Sequence, residues 1–139
     1  MLPSYLGFDH IHVYVTDRAA AAKWYASILG FTPVTELASW AADGGPLTLA
    51  DASHQVHLAL FERAPQACRS TIALKVTAEQ LLAWHQHLQA VLDLPADKDI
   101  NLVDHQFSWS IYFSDPYGNP YEITSYDYAE VAEHVSQTK

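Results

Sequence analysis

His10-Ile11-His12-Val13-Tyr14-Val15-Thr16 and Thr71-Ile72-Ala73-Leu74-Lys75-Val76-Thr77 open the two halves of the chain in the same way. Each is an alternating strand followed by a residue able to cap a helix. In the first, Ile11, Val13 and Val15 form one apolar face, and His10, His12 and Tyr14 form the other. In the second, Ile72, Leu74 and Val76 take the apolar face, and Thr71, Ala73 and Lys75 the other. A helix laid over the apolar face leaves His10 and Thr71 on the open side of their strands.

Beyond the opening strands the two halves continue alike. Thr16 or Asp17 caps a helix through about Leu29, with Ala21, Trp24, Tyr25 and Ile28 at helical spacing and Gly30 as its left-handed stop. Thr77 with Gln80 forms a capping-box signature for a helix from Ala78 to about Leu92, with Leu81, Trp84, Leu88 and Leu92 on one stripe. Three strands are expected after each helix. In the first half they are Phe31 to Leu37, Leu47 to Ala50 and Val56 to Phe61, the first two parted by the turn Asp43-Gly44-Gly45-Pro46. In the second half they lie near Asn101 to His105, Trp109 to Ser114 and Pro120 to Ser125, with Asp115-Pro116-Tyr117-Gly118-Asn119 between the last two. The expected fold class is therefore α+β: two βαβββ modules whose curved mixed sheets enclose a cavity, with the helices outside. Module one runs over about 6–63 and module two over about 70–127, with a short closing helix over about 128–136. The whole 139-residue chain forms a single domain, its modules meeting near Pro65 between Ala64 and Arg69.

Aligning the modules sorts the eight histidines. His10 matches Thr71 on the opening strands, and His57 matches Glu122 on the closing strands. The spacing is 47 residues in the first half and 51 in the second. If the modules pack about a pseudo-twofold axis, the four positions converge. His10, His57 and Glu122 can each bind a metal there. Two imidazoles and a carboxylate with open positions suit Fe(II), Mn(II), Ni(II) or Zn(II). His12 shares the strand face of His10 and lines the pocket, as does Thr71. His54, His85, His87 and His134 read as surface or edge residues.

Composition limits the partners. Seven Lys+Arg against sixteen Asp+Glu give a net charge of −9, which argues against nucleic acid and anionic membrane. The single cysteine, Cys68, excludes an intrachain disulfide and reads as inert. The N-terminal sequence lacks a targeting pattern, and no stretch approaches a membrane span, so a cytoplasmic location is expected.

The chain resembles the vicinal oxygen chelate superfamily: glyoxalase I, fosfomycin resistance proteins, extradiol dioxygenases and bleomycin resistance proteins. The resemblance rests on His10-Ile-His-Val-Tyr-Val-Thr-Asp17, on Trp24-Tyr25 with Ile28-Leu29-Gly30-Phe31, and on Ser110-Ile-Tyr-Phe-Ser-Asp-Pro-Tyr-Gly-Asn-Pro-Tyr-Glu122. It implies one divalent ion held by His10, His57 and Glu122, polarising two neighbouring oxygens of a small substrate in lyase, isomerase or ring-cleaving dioxygenase chemistry. Thr71 departs from the histidine that several branches carry at that position. Similarity to the extradiol branch implies active-site roles for Tyr112 and His105, with Glu122 as ligand and proton acceptor. A homodimer is implied as well. The runner-up is a metal-free, bleomycin-resistance-like protein that sequesters an aromatic cation. Trp109, Tyr121, Trp40 and Tyr112 would supply its aromatic surface.

Overall fold

The computed structural model describes residues 1–64 and 70–139. Cys68 and the expected module boundary at Pro65 lie outside the described residues. The chain forms two compact units, one on each side of that segment.

In the first unit, β1 (Ile11–Val15) leads into α1 (Arg18–Trp24), which continues as a wider π-helical turn over Tyr25–Leu29. Asp17 caps α1 by accepting from the Ala20 N–H at 2.9 Å. Gly30 ends the helical run at φ 74°, a conformation that costs a side-chain-bearing residue energy. After β2 (Thr32–Pro33) come a 3₁₀ turn (Thr35–Leu37), α2 (Ala38–Ala42), β3 (Leu47–Ala50) and β4 (His57–Glu62). The strand order is β1-β4-β3-β2, with β1 parallel to β4 and the remaining pairs antiparallel.

The expected strand Phe31 to Leu37 is thus only two residues long. Pro33 has no N–H to donate to a ladder, and the Leu37 N–H turns back to the Val34 carbonyl at 3.1 Å. The helix-favouring stretch Ala38-Ser-Trp-Ala-Ala then forms α2. Arg18 secures this excursion by donating to the carbonyls of Gly45 (2.8 Å) and Ala41 (3.1 Å).

One sheet face carries the core of the unit. Val13 and Val15 of β1, Leu49 of β3, and Leu58 and Leu60 of β4 are buried, as are Ala21, Tyr25 and Leu29 of the helical run. Ile11, on the same face, is 37% exposed because it starts an edge strand.

The second unit repeats the plan without the extra helix. β5 (Ile72–Lys75) is followed by α3 (Ala78–Val91), β6 (Val103–Asp104), β7 (Trp109–Ser114), β8 (Pro120–Ser125) and α4 (Tyr128–Gln137). The strand order is β5-β8-β7-β6, again with one parallel pair at the edge. Both bonds of the Thr77–Gln80 capping box form, at 3.2 and 3.0 Å. Leu81 and Leu88 of α3, Tyr121 and Ile123 of β8, Ile111 of β7 and Val131 of α4 are buried. Asp127, which precedes α4, accepts from the Ala78 N–H at the start of α3 at 2.9 Å. No helix among the described residues is long and apolar enough to cross a membrane.

The two units therefore share an α+β plan of four mixed strands with helices. Their parallel ladders differ in register. β1 and β4 pair Ile11 with Leu58, a register that brings His10 level with His57. β5 and β8 pair Ala73 with Glu122. Thr71 lies two residues before Ala73, one same-face step away from the neighbour of Glu122.

Candidate functional site

In the first unit the candidate residues gather where β1 and β4 begin. The His10 ring, 43% exposed, donates from Nδ1 to the Asp9 carboxylate at 2.5 Å. Its Nε2 lies 3.1 Å from Nε2 of His12. The Asp9 carboxyl is held below its usual range, first by this bond to His10, with slight burial opposing it and the charges of His10 and His57 adding to the effect. His57 is half-buried at the start of β4, and the ring of His54 meets it edge-on at 6.3 Å. Asp51 shapes the preceding turn by accepting from Ser53 Oγ (2.6 Å) and from the Gln55 and Val56 N–H groups (3.0 Å each). His54 there adopts a left-handed backbone, φ 57°. An aromatic row continues along the same sheet face. His12 packs on Phe61 at 4.7 Å, and Tyr14 packs on Phe61 at 6.1 Å. The Arg63 guanidinium covers the Phe61 and Tyr14 rings at 5.4 and 5.9 Å.

In the second unit the centre is Glu122, half-buried on β8. Its Oε1 accepts from Ser110 Oγ at 2.7 Å, and the same hydroxyl is 2.9 Å from Thr124 Oγ1. Glu122 is paired with Tyr112 across the β7–β8 ladder. The Tyr112 hydroxyl shares a 2.9 Å hydrogen bond with His105 Nε2. Burial pushes the Tyr112 phenol above its usual range, and the negative charge of Glu122 pushes it further. His105 is carried on the β6–β7 turn, where Gln106 has φ 70° and donates its N–H to Asp104 Oδ1 at 2.7 Å. Tyr128 ties α4 to that turn by donating to Asp104 Oδ2 at 2.8 Å. Lys75, on the face of β5 that carries Ala73, lies 5.7 Å from the centre of the Tyr126 ring.

The structure thus groups His10 with His12 and brings Tyr112, His105 and Glu122 together. Trp109 and Tyr121 stand apart from Glu122. Trp109 pairs with Ser125, so it faces away from Glu122, buried with its ring on Tyr128 at 5.8 Å. Tyr121 is adjacent to Glu122 on the strand and is buried on the opposite face, stacked with Phe113. These two aromatics pack the core; they do not line the Glu122 face. Thr71 is exposed just before β5. His85 is half-buried and donates to the Ile100 carbonyl at 2.6 Å, which pins the loop after α3. Asp9, Ser110 and Thr124 are functional candidates that the sequence alone did not single out. Their signal is positional: Asp9 directly precedes His10, while Ser110 and Thr124 stand two residues from Tyr112 and Glu122 on the same strand faces.

The family profile described as Glyoxalase/Bleomycin resistance protein/Dioxygenase superfamily matches residues 7–123. The chain belongs to this superfamily. It is the vicinal oxygen chelate group that the strand and turn motifs resemble. No curated protein matches the chain in sequence. Among solved structures, the superfamily fold is shared with the fosfomycin resistance protein FosX of Listeria monocytogenes, described in complex with Mn(II) and sulfate. That match has a TM-score of 0.63 at 14% identity and covers 95% of this chain and 99% of FosX. Lactoylglutathione lyase of Agrobacterium tumefaciens matches with a TM-score of 0.64 at 18% identity, over 88% of this chain and 95% of that one. An integron cassette protein from the Halifax Harbour sewage outfall metagenome matches with a TM-score of 0.64 at 18% identity, over 87% of this chain and 99% of that one. At such identities the likeness is one of fold.

Among the described residues no three His, Cys, Asp or Glu side chains stand together as a ready metal-holding group. The donor chemistry still fits a divalent ion. With Nδ1–H of His10 given to Asp9, Nε2 is the donor atom of a neutral ring, the usual arrangement of a metal-binding histidine and its outer carboxylate. Glu122 is an anionic oxygen donor already oriented by Ser110.

Proposed function

We propose that the chain is a divalent-metal-dependent enzyme acting on a small substrate with two neighbouring oxygens. The arrangement of Glu122, Tyr112 and His105 in the second unit carries this reading. It sets the Glu122 carboxylate and the Tyr112 phenol on one face of β8 and β7, with the His105 imidazole of the β6–β7 turn hydrogen-bonded to the phenol. His10, His57 and Glu122 hold the ion in this reading, either within one chain acting as a single domain or between two copies of a homodimer. When bound, the ion supplies Lewis-acid polarisation of the substrate oxygens. Superfamily membership supports the metal, as does the Mn(II) complex of FosX.

The remaining steps belong to the side chains. Tyr112, its phenol kept protonated by burial and by Glu122, donates a hydrogen bond to a substrate oxygen. His105 takes or returns a proton at Nε2 through the Tyr112 hydroxyl, 2.9 Å away. Ser110 holds Glu122 in place. Two of the rings that would receive an aromatic cation in the sequestering alternative, Trp109 and Tyr121, are buried in the core. That favours the enzyme.

The test is metal content. Protein purified without chelator is expected to carry Fe, Mn, Ni or Zn near one ion per chain, and His10→Ala and Glu122→Ala to carry far less. Wild-type protein that holds none of the four, even after each is supplied, would refute the proposal.

A further inference from the structure

We propose that His12 is itself a metal ligand, forming with His10 a two-imidazole chelate on β1. The inference rests on the metal-dependent reading above and changes its ligand set. It starts from the placement of two nitrogens. His10 directly precedes β1 and His12 lies two residues on within it, so in the extended chain both rings leave the same face. Their planes are nearly parallel, 16° apart, with ring centres 5.1 Å apart and Nε2 atoms only 3.1 Å apart. The donor atoms are therefore the facing edges of the pair. At the ~2.1 Å usual for metal–imidazole bonds, nitrogens 3.1 Å apart subtend an angle of about 95° at one ion. That angle suits adjacent positions of an octahedral ion.

Each ring is also held from behind. Asp9 accepts the Nδ1–H of His10 at 2.5 Å, which leaves Nε2 as the donor atom. His12 is braced by the Phe61 ring at 4.7 Å.

The chelate accounts for threonine at position 71. Threonine is a poor ligand, and the register of β5 and β8 sets Ala73, which has no donor, beside Glu122. His12 adds a second nitrogen donor beside His10 within the first unit. His10 and His12 then give two imidazoles at the start of β1, with His57 at the start of the adjoining strand β4.

Two measurements test this, neither depending on activity. Calorimetric titration with Ni(II) should show His12→Ala weakened by at least about 100-fold, the upper end of what losing a ligand's outer partner costs. Unchanged Ni(II) affinity in a folded His12→Ala protein would overturn the chelate and leave the metal-dependent reading standing. Failure of wild-type protein to bind any of Fe, Mn, Ni and Zn would overturn both. Pulsed electron paramagnetic resonance of Cu(II)-loaded His57→Ala protein keeps His12 in place, so it does not depend on the first variant folding. Two bound imidazoles are expected there; a single one would overturn the chelate.

Discussion

Asp115→Ala tests whether the hairpin between β7 and β8 holds the candidate site in register. Asp115 is 5% exposed and organises the whole turn through its carboxylate. Oδ1 accepts from the N–H groups of Tyr117 (2.8 Å) and Asn119 (2.9 Å), and Oδ2 accepts from Asn119 Nδ2 (2.7 Å). The ladder closes just beyond, where the Asp115 N–H donates to the Asn119 carbonyl at 3.0 Å. Alanine leaves three donors without that acceptor, two of them on buried Asn119. At roughly 1 kcal/mol net for each lost bond, the expected destabilisation is about 3 kcal/mol. For a chain of this size that corresponds to a drop in melting temperature of roughly 10 °C. Asp115→Asn keeps an oxygen for the two backbone donors but sets its amide against that of Asn119, so its loss should fall between zero and that of alanine. Urea unfolding followed by circular dichroism reads both variants. An alanine midpoint equal to wild type would refute the view that this carboxylate builds the turn. An asparagine variant as unstable as alanine would refute the division between backbone and side-chain donors.

Asp51 gives a pH dependence of known sign. Burial alone would raise its pKa, but the bonds from Ser53 and from the Val56, Ser53 and Gln55 N–H groups outweigh burial and lower it below the ordinary 3.8 of an aspartate. A depressed folded pKa contributes stability that is present above 3.8 and is lost as pH falls through the folded value. Asp51→Asn should therefore flatten the fall of the urea midpoint below about pH 4, and an unchanged slope would count against the bonds. Thr77→Ala removes one arm of the capping box on α3 and should cost about 1 kcal/mol in the same unfolding assay, with no effect expected on Ni(II) binding in the first unit. Gly45→Ala should cost about 1–3 kcal/mol, because an added Cβ would lie 2.7 Å from the backbone oxygen of Trp40 in α2. Thermal melts of the paired variants Gly45→Ala and Gly44→Ala separate this clash from left-handed strain, since of the two only Gly44 has a positive φ.

Much of the fold was legible because local chemistry and burial agree along the chain. The alternation in β1 separates Val13 and Val15 from His12, and the structure buries only the valines. Thr77 with Gln80, and Gly30, mark helix ends through bonds that span only a few residues. The stretch from Phe31 to Leu37 misleads because β-branched residues suggest a strand, whereas Pro33 withholds the donor that would extend one and the alanines beyond it favour α2. Register could not be read at all. A period of two tells which residues share a face, but sliding a strand by two preserves every face, so nothing local distinguishes Thr71 from Ala73 as the neighbour of Glu122. Trp109 and Tyr121 are a different case. Tyr121 adjoins Glu122 and must face the other way, and Trp109 stands an odd number of residues from Tyr112 on one strand. Applied to β7 and β8 with Glu122 as origin, the same alternation that sorted His10 from Ile11 places both aromatics in the core and Ser110, Tyr112 and Thr124 beside the carboxylate. What alternation lacks is an origin, and on a strand as mixed as β8 only the pairing with Tyr112 supplies one.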